Sequence, residues 1–130
     1  MDSRRLAAFP LFADLPAAEL DEVAAAMREV DVDTGARVTT ADDLGAGLYC
    51  VEEGSAEVVG ESGEAAQALG PGDTFGEIAL LLTGERTATV VARTPLRLLT
   101  LSDQDFQQIR ERVPELESSL RRLGVERAGR

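Results

Sequence analysis

A mainly β domain with flanking helices is the fold class this sequence predicts, and three observations predict it. Apolar residues recur at helical spacing before position 30, short glycine-punctuated segments fill positions 31 to 101, and helical spacing returns from position 102. At 130 residues the chain is long enough to close one hydrophobic core and leaves no room for a second folded unit. One domain spanning 1–130 is expected, with a helical lead-in over 1–30, a barrel over 31–101 and carboxy-terminal helices over 102–130.

The first element follows from Leu20, Val23, Ala24 and Met27, which share one helix face between Asp14 and about Val30. Asp14 is the expected N-cap, with Pro16 in the first turn. Beyond Val30, glycines at 35, 45, 47, 54, 60, 63, 70 and 72 separate the expected strands Arg37–Thr40, Leu48–Glu52, Ala56–Val59 and Ala66–Leu69. Two more, Thr87–Ala92 and Leu96–Leu101, flank a turn at Arg93-Thr94-Pro95. Short strands punctuated at intervals of roughly ten residues predict a β-sandwich or barrel. Ser102 is placed to cap a helix with Phe106, Ile109 and Val113 on one face. Pro114 divides it from a second helix, Glu115 to about Arg127, striped by Leu116, Leu120 and Leu123 and weakened near its end by Gly124.

Composition excludes whole classes of function. All 13 basic residues are arginines, and 24 acidic residues leave a net charge of -11, which argues against general nucleic-acid binding. Histidine is absent, so the usual catalytic triads and imidazole-built metal sites are gone, a cupin-like metalloenzyme among them. Neither an enzyme nor a metal protein is expected. The single cysteine, Cys50, sits in a strand pattern and is assigned to the core rather than to redox chemistry. No apolar run approaches a membrane span and the amino-terminal run Leu6–Phe9 is too short for a signal core, so a soluble, cytoplasmic chain is expected, with no membrane contact of its own. Asp31, Asp33, Asp42 and Asp43 lack the glycine and glutamate spacing of a calcium loop and are assigned to solvated turns.

One segment breaks the β pattern. Ile78–Leu82 is a five-residue apolar run between a Gly-Glu pair and a Thr-Gly-Glu turn, which suits a short buried helix. Free N–H groups at the start of such a helix, near Gly76 and Glu77, favour an anion, and Arg86 follows closely enough for its guanidinium to meet the same group. The plainer alternative is a structural salt bridge between Glu77 and Arg86.

At these residues, Phe75-Gly76-Glu77-Ile78-Ala79-Leu80-Leu81 and Arg86-Thr87-Ala88-Thr89-Val90, the sequence resembles the phosphate-binding cassette of cyclic-nucleotide-binding domains. Those domains occur in catabolite activator-type regulators, cyclic-nucleotide-gated channels and cyclic-nucleotide-dependent protein kinases. The resemblance extends to the Pro-Gly-Asp before the cassette and to Leu11-Phe12-Ala13-Asp14-Leu15. It implies an eight-stranded jelly-roll β-barrel, or double-stranded β-helix, with an amino-terminal helix, carboxy-terminal lid helices and a cassette over 75–90. It further implies a ligand site at Phe75, Gly76, Glu77, Ile78, Ala79, Arg86, Thr87 and Ala88. In that site the Gly76, Ile78 and Ala79 amides approach the cyclic phosphate or ribose, Glu77 accepts from the ribose 2′-hydroxyl, Arg86 pairs with the phosphate and Thr87 donates to it. Cyclic AMP is the first choice of ligand, and Thr87 keeps cyclic GMP open. Leu120, Arg121 and Leu123 are candidates for capping the base. No helix-turn-helix, channel or kinase segment follows Arg130, so the output of a sensor is expected to pass to a protein effector or parent polypeptide. The competing expectation is an interaction scaffold of the same fold that binds no nucleotide.

Overall fold

The computed structural model of the chain describes residues 1–38, 47–59, 65–75 and 89–128. Eight strands lie within them: β1 (Arg28–Val32), β2 (Arg37–Val38), β3 (Gly47–Glu53), β4 (Ala56–Val59), β5 (Ala65–Leu69), β6 (Thr74–Phe75), β7 (Thr89–Ala92) and β8 (Leu96–Ser102). They pair antiparallel in two sheets of four, ordered β1-β8-β3-β6 and β2-β7-β4-β5. Around them are helices α1 (Ser3–Leu6), α2 (Ala17–Ala26), α3 (Asp103–Ile109) and α4 (Pro114–Ala128), with a 3₁₀ turn at Pro10–Phe12.

The core divides in two, and the first sheet is the partition. Tyr49 and Val51 on β3 and Leu96 and Leu98 on β8 point between the sheets, where they meet Val38, Ala56, Leu69, Val90 and Ala92 of the second sheet. Leu48, Cys50, Leu99 and Leu101 point the other way, onto helices. Both faces of the first sheet are therefore covered, which is why Leu48 to Val51 is an unbroken apolar run rather than an alternating one. Cys50 is wholly buried, as its assignment to the core required.

The helical layer is drawn from both ends of the chain. Leu6, Phe9, Phe12, Leu15 and Val23 from the amino-terminal part pack with Phe106, Ile109, Val113, Leu116 and Leu120 from the carboxy-terminal part. Phe9 and Phe12 meet edge to face, with centroids 6.3 Å apart at 86°. Burying a leucine or phenylalanine of this kind contributes roughly 1.5–3 kcal/mol. Polar contacts reinforce the join: Glu19 on α2 accepts from the Glu115 N–H in the first turn of α4 at 3.1 Å. Arg112 lies 3.5 Å from Glu22, and Arg122 lies 3.8 Å from Asp14.

The amino-terminal helix differs from its expected bounds at both ends. Asp14 is not its cap: Pro16 holds that position with extended backbone, and α2 starts at Ala17. A proline disfavours helical geometry in the residue before it, so Leu15 cannot belong to the first turn. At the other end Met27 is extended, and Val30, expected near the end of the helix, is paired with Leu98 in β1. The helical lead-in thus gives way to strand at Arg28. Ser102 does cap α3, its hydroxyl accepting from the Asp105 N–H at 3.1 Å. That helix stops at Ile109, and a turn through Arg112 and Val113 leads to Pro114, which opens α4 from within its first turn. Helix α4 runs through Gly124 to Ala128.

Candidate functional site

Of the eight residues expected to form the ligand site, Phe75 lies within the described structure; Gly76, Glu77, Ile78, Ala79, Arg86, Thr87 and Ala88 lie outside the described residues. What the structure defines is the frame on either side. Strand β6 ends at Phe75 on the edge of the first sheet, and β7 begins at Thr89 between β2 and β4 in the second. Positions 76–88 therefore join the edge of one sheet to the interior of the other.

The approach to position 76 is set by a tight turn. Gly70-Pro71-Gly72-Asp73 closes with the Asp73 N–H donating to the Gly70 carbonyl at 3.0 Å, with proline at the second position and Gly72 at φ +96° in the third. That is the type II pattern, in which the third residue must tolerate positive φ. The Asp73 carboxylate accepts from the Gly70 N–H at 2.8 Å, and the turn is fastened to β3 because Val51 donates to the Asp73 carbonyl and accepts from Gly72. The Pro-Gly-Asp of the sequence motif is thus a register device. It delivers Thr74 opposite Cys50 and Phe75 opposite Tyr49, whose rings stack with centroids 5.0 Å apart and planes 15° from parallel.

The space between the sheets is apolar. Among the described residues the buried polar side chains are Thr74 and Ser119, and no group of metal-ligating side chains is present. Most of the described arginines face carboxylates. Arg5 on α1 donates to Glu52 on β3 and Glu29 on β1, and Arg97 on β8 lies within 4.0 Å of Glu29, Asp31, Glu52 and Glu53. Hydrogen bonding from Arg5 lowers the Glu52 carboxyl from its ordinary value, against a smaller opposing effect of burial. At the amino terminus, hydrogen bonds from the Arg4 side chain and backbone bring the exposed Asp2 carboxyl down to about 2. Arg93, Arg110, Arg112, Arg121 and Arg122 each face a carboxylate as well. Of the base-capping candidates, Leu120 is fully buried in the helical layer and Arg121 is exposed beside Glu117, 3.6 Å away; Leu123 lies further along α4.

A family model described as the cyclic nucleotide-binding domain matches residues 29–113. The chain belongs to that family. Among its relatives, a cyclic nucleotide-gated potassium channel, mll3241, of Mesorhizobium japonicum is 38% identical over 124 residues, covering 95% of this chain and 34% of the channel. A cAMP-dependent protein kinase regulatory subunit of Yarrowia lipolytica is 42% identical over 102 residues, covering 77% of this chain and 27% of the subunit. The chain thus spans 34% and 27% of the length of these two relatives. Among solved structures, the regulatory domain of Toxoplasma gondii PKA with cAMP superposes with a TM-score of 0.79 at 27% identity, over 98% of this chain and 48% of that one. The regulatory subunit of a cAMP-independent protein kinase A from Trypanosoma brucei gives 0.77 at 26%, over 92% of this chain and 44% of that one. The two sheets and their helical layer are the jelly roll of this family.

Strands β1 and β6 and the ring pair of Tyr49 with Phe75 escaped the sequence reading. Strand β1 was hidden inside the helical lead-in, although Val30-Asp31-Val32 alternates as a strand does. Tyr49 was passed over as one apolar residue in a run, and nothing in the sequence pairs it with Phe75.

Proposed function

We propose that this chain is a regulatory cyclic-nucleotide sensor that takes up cyclic AMP, with cyclic GMP as second choice, and repositions its carboxy-terminal helices in response. What carries the reading is the placement of one motif: the cassette sequence Phe75 to Ala88 occupies the link between β6 and β7 in a chain of the cyclic nucleotide-binding family. The Gly76, Ile78 and Ala79 amides and Arg86 take the cyclic phosphate, Thr87 donates to it, and Glu77 accepts from the ribose hydroxyl, with Phe75 and Ala88 flanking. One observation supports this division of labour: the arginines named above already face carboxylates, whereas Arg86 stands within the cassette motif itself.

The role is binding rather than catalysis, in the cytoplasm, with the signal passing to a protein effector or parent polypeptide and without duplex DNA or membrane contact by this chain. Ligand uptake shifts the docking of the segment from Ser102 onward only by its differential affinity for the two positions. Calorimetric titration of the chain with cyclic AMP and cyclic GMP tests the reading. Arg86→Ala should weaken binding by roughly ten- to a hundredfold and leave the apo fold intact, since a hydrogen bond to a charged group is worth about 1.5–3 kcal/mol. Unfolding by Arg86→Ala, with unchanged affinity in the folded fraction, would instead make the Glu77–Arg86 pair structural. Ligand-dependent amide exchange should appear at 76–90 and again at 102–125. A second reading, a domain of this fold that binds no nucleotide, is favoured by the likeness to a regulatory subunit described as cAMP-independent. The absence of both heat and melting shift at millimolar nucleotide would select it.

A further inference from the structure

We propose that the groove between helices α2 and α3 binds a small zwitterion, a ligand carrying one carboxylate and one ammonium on a short apolar body. The inference is independent of the nucleotide reading above, because every residue it uses lies outside the cassette. The groove has a volume of about 360 Å³, enough for a small molecule. Its apolar floor is formed by Met27 and Ile109, both buried, with Ala26 half-buried beside them. Arg112 and Glu22 also line it and satisfy each other at 3.5 Å.

Two further charges in the lining satisfy nothing. Arg28 at the start of β1 and Asp105 on α3 have no side-chain hydrogen bond or ion pair among the described residues, with each other or with any neighbour. Helix α2 ends at Ala26, and the last carbonyls of a helix have no partner within it and carry the negative end of its dipole. Ala25 and Ala26, in that last turn, both line the groove. A cation is therefore favoured between the end of α2 and Asp105, while the Arg28 guanidinium takes a carboxylate in two parallel hydrogen bonds. A lone anion would face Asp105 and the α2 carbonyls, and a lone cation would face Arg28. A zwitterion answers both charges at once. Held by Arg28 on the barrel and Asp105 on α3, it also fastens α3 to the sheet.

The test titrates the whole chain, by calorimetry, with leucine and with glycylleucine. Leucine or glycylleucine should bind saturably in the millimolar range, while isocaproate, which lacks the ammonium, and isoamylamine, which lacks the carboxylate, should bind at least tenfold more weakly. Arg28→Gln and Asp105→Asn should each weaken the zwitterion by roughly tenfold, the loss of one charged hydrogen-bonding partner. Arg37→Gln is the control, removing the same charge from an exposed arginine on β2, in the other sheet; it should leave the affinity unchanged. Amide exchange at 103–109 should slow on binding. Tighter binding of leucine assigns the groove to a free amino acid, and of glycylleucine to a peptide. No saturable binding of either, equal affinity for isocaproate or isoamylamine, wild-type affinity in Arg28→Gln and Asp105→Asn, or an equal loss in Arg37→Gln would each overturn the site.

Discussion

Arg5 ties the first helix to the barrel, and its removal should be felt most near neutral pH. Its Nε donates to Glu52 Oε2 at 2.8 Å and its Nη2 to Glu52 Oε1 at 2.5 Å, with Nη2 also 2.5 Å from Glu29 Oε1. A buried charged fork would be worth more, but Arg5 is 33% exposed and Glu29 41%, so water screens the contact. About 1–2 kcal/mol is the expected loss in Arg5→Ala, a fall of roughly 4–7 °C in melting temperature for a domain of this size. The pH dependence follows from Glu52, whose carboxyl Arg5 holds below its ordinary value. The unfolded state binds the extra proton first, so this stabilisation is complete above the unfolded value of about 4.3 and is lost as pH falls through the folded one. Thermal melts of wild type and Arg5→Ala should therefore differ fully at neutral pH and converge in acid. Arg5→Lys, which keeps the charge and loses the fork, should fall between them. Equal melting temperatures at neutral pH, or a gap that persists unchanged in strong acid, would refute the reasoning.

Two further substitutions test the frame. Gly54, in the turn from β3 to β4, has φ +94°, and a Cβ there would sit 2.2 Å from the Pro95 carbonyl oxygen. Gly54→Ala should cost about 2–4 kcal/mol, left-handed strain plus displaced backbone, read as a lower denaturant midpoint. Glu19→Ala removes the carboxylate that accepts from the Glu115 N–H and should cost about 1 kcal/mol, with faster hydrogen exchange at that amide; an unchanged exchange rate would mean that the contact contributes nothing.

Strands bounded by glycine were legible because the punctuation is local. Ala56–Val59 was expected and found with the same limits, and β3 extends the expected Leu48–Glu52 by one residue at each end. Ser102 was legible for a similar reason, since capping depends on a hydroxyl and the next few amides. The failures were tertiary. Met27 and Val30 fit a helical stripe as well as a strand, and the pairing of Val30 with Leu98, 68 positions away, selects the strand. Strand β6 is too short to carry any period. Along Leu48 to Val51 both neighbours of the sheet are apolar, so no alternation distinguishes the residue that faces the barrel interior from the one that faces the helices. The proposed site was legible as a motif, because its chemistry is concentrated in one contiguous segment; the stack of Tyr49 on Phe75, which joins positions 26 apart, was not.

The partition sheet gives the barrel interior and the helices a common wall. Tyr49 faces the barrel interior and stacks on Phe75, while Leu48 and Cys50, its immediate neighbours in the chain, face Phe106, Leu116 and the rest of the helical cluster. Side chains on adjacent residues of a strand project to opposite faces from one backbone, so a shift that re-seats Tyr49 must carry Leu48 and Cys50 with it. Close-packed interiors transmit such a shift rather than absorbing it. At the rim of the same outer face the apolar seam gives way to Arg97 and its carboxylates, where Arg5 holds α1 down through Glu29 and Glu52. The helical layer is thus seated on apolar contacts at its centre and pinned by charge at one edge. Any repositioning driven from the cassette would meet less resistance as a pivot about the Arg5 contact than as a translation that breaks it, so Arg5→Ala should alter the ligand-induced exchange at 102–125 as well as the stability.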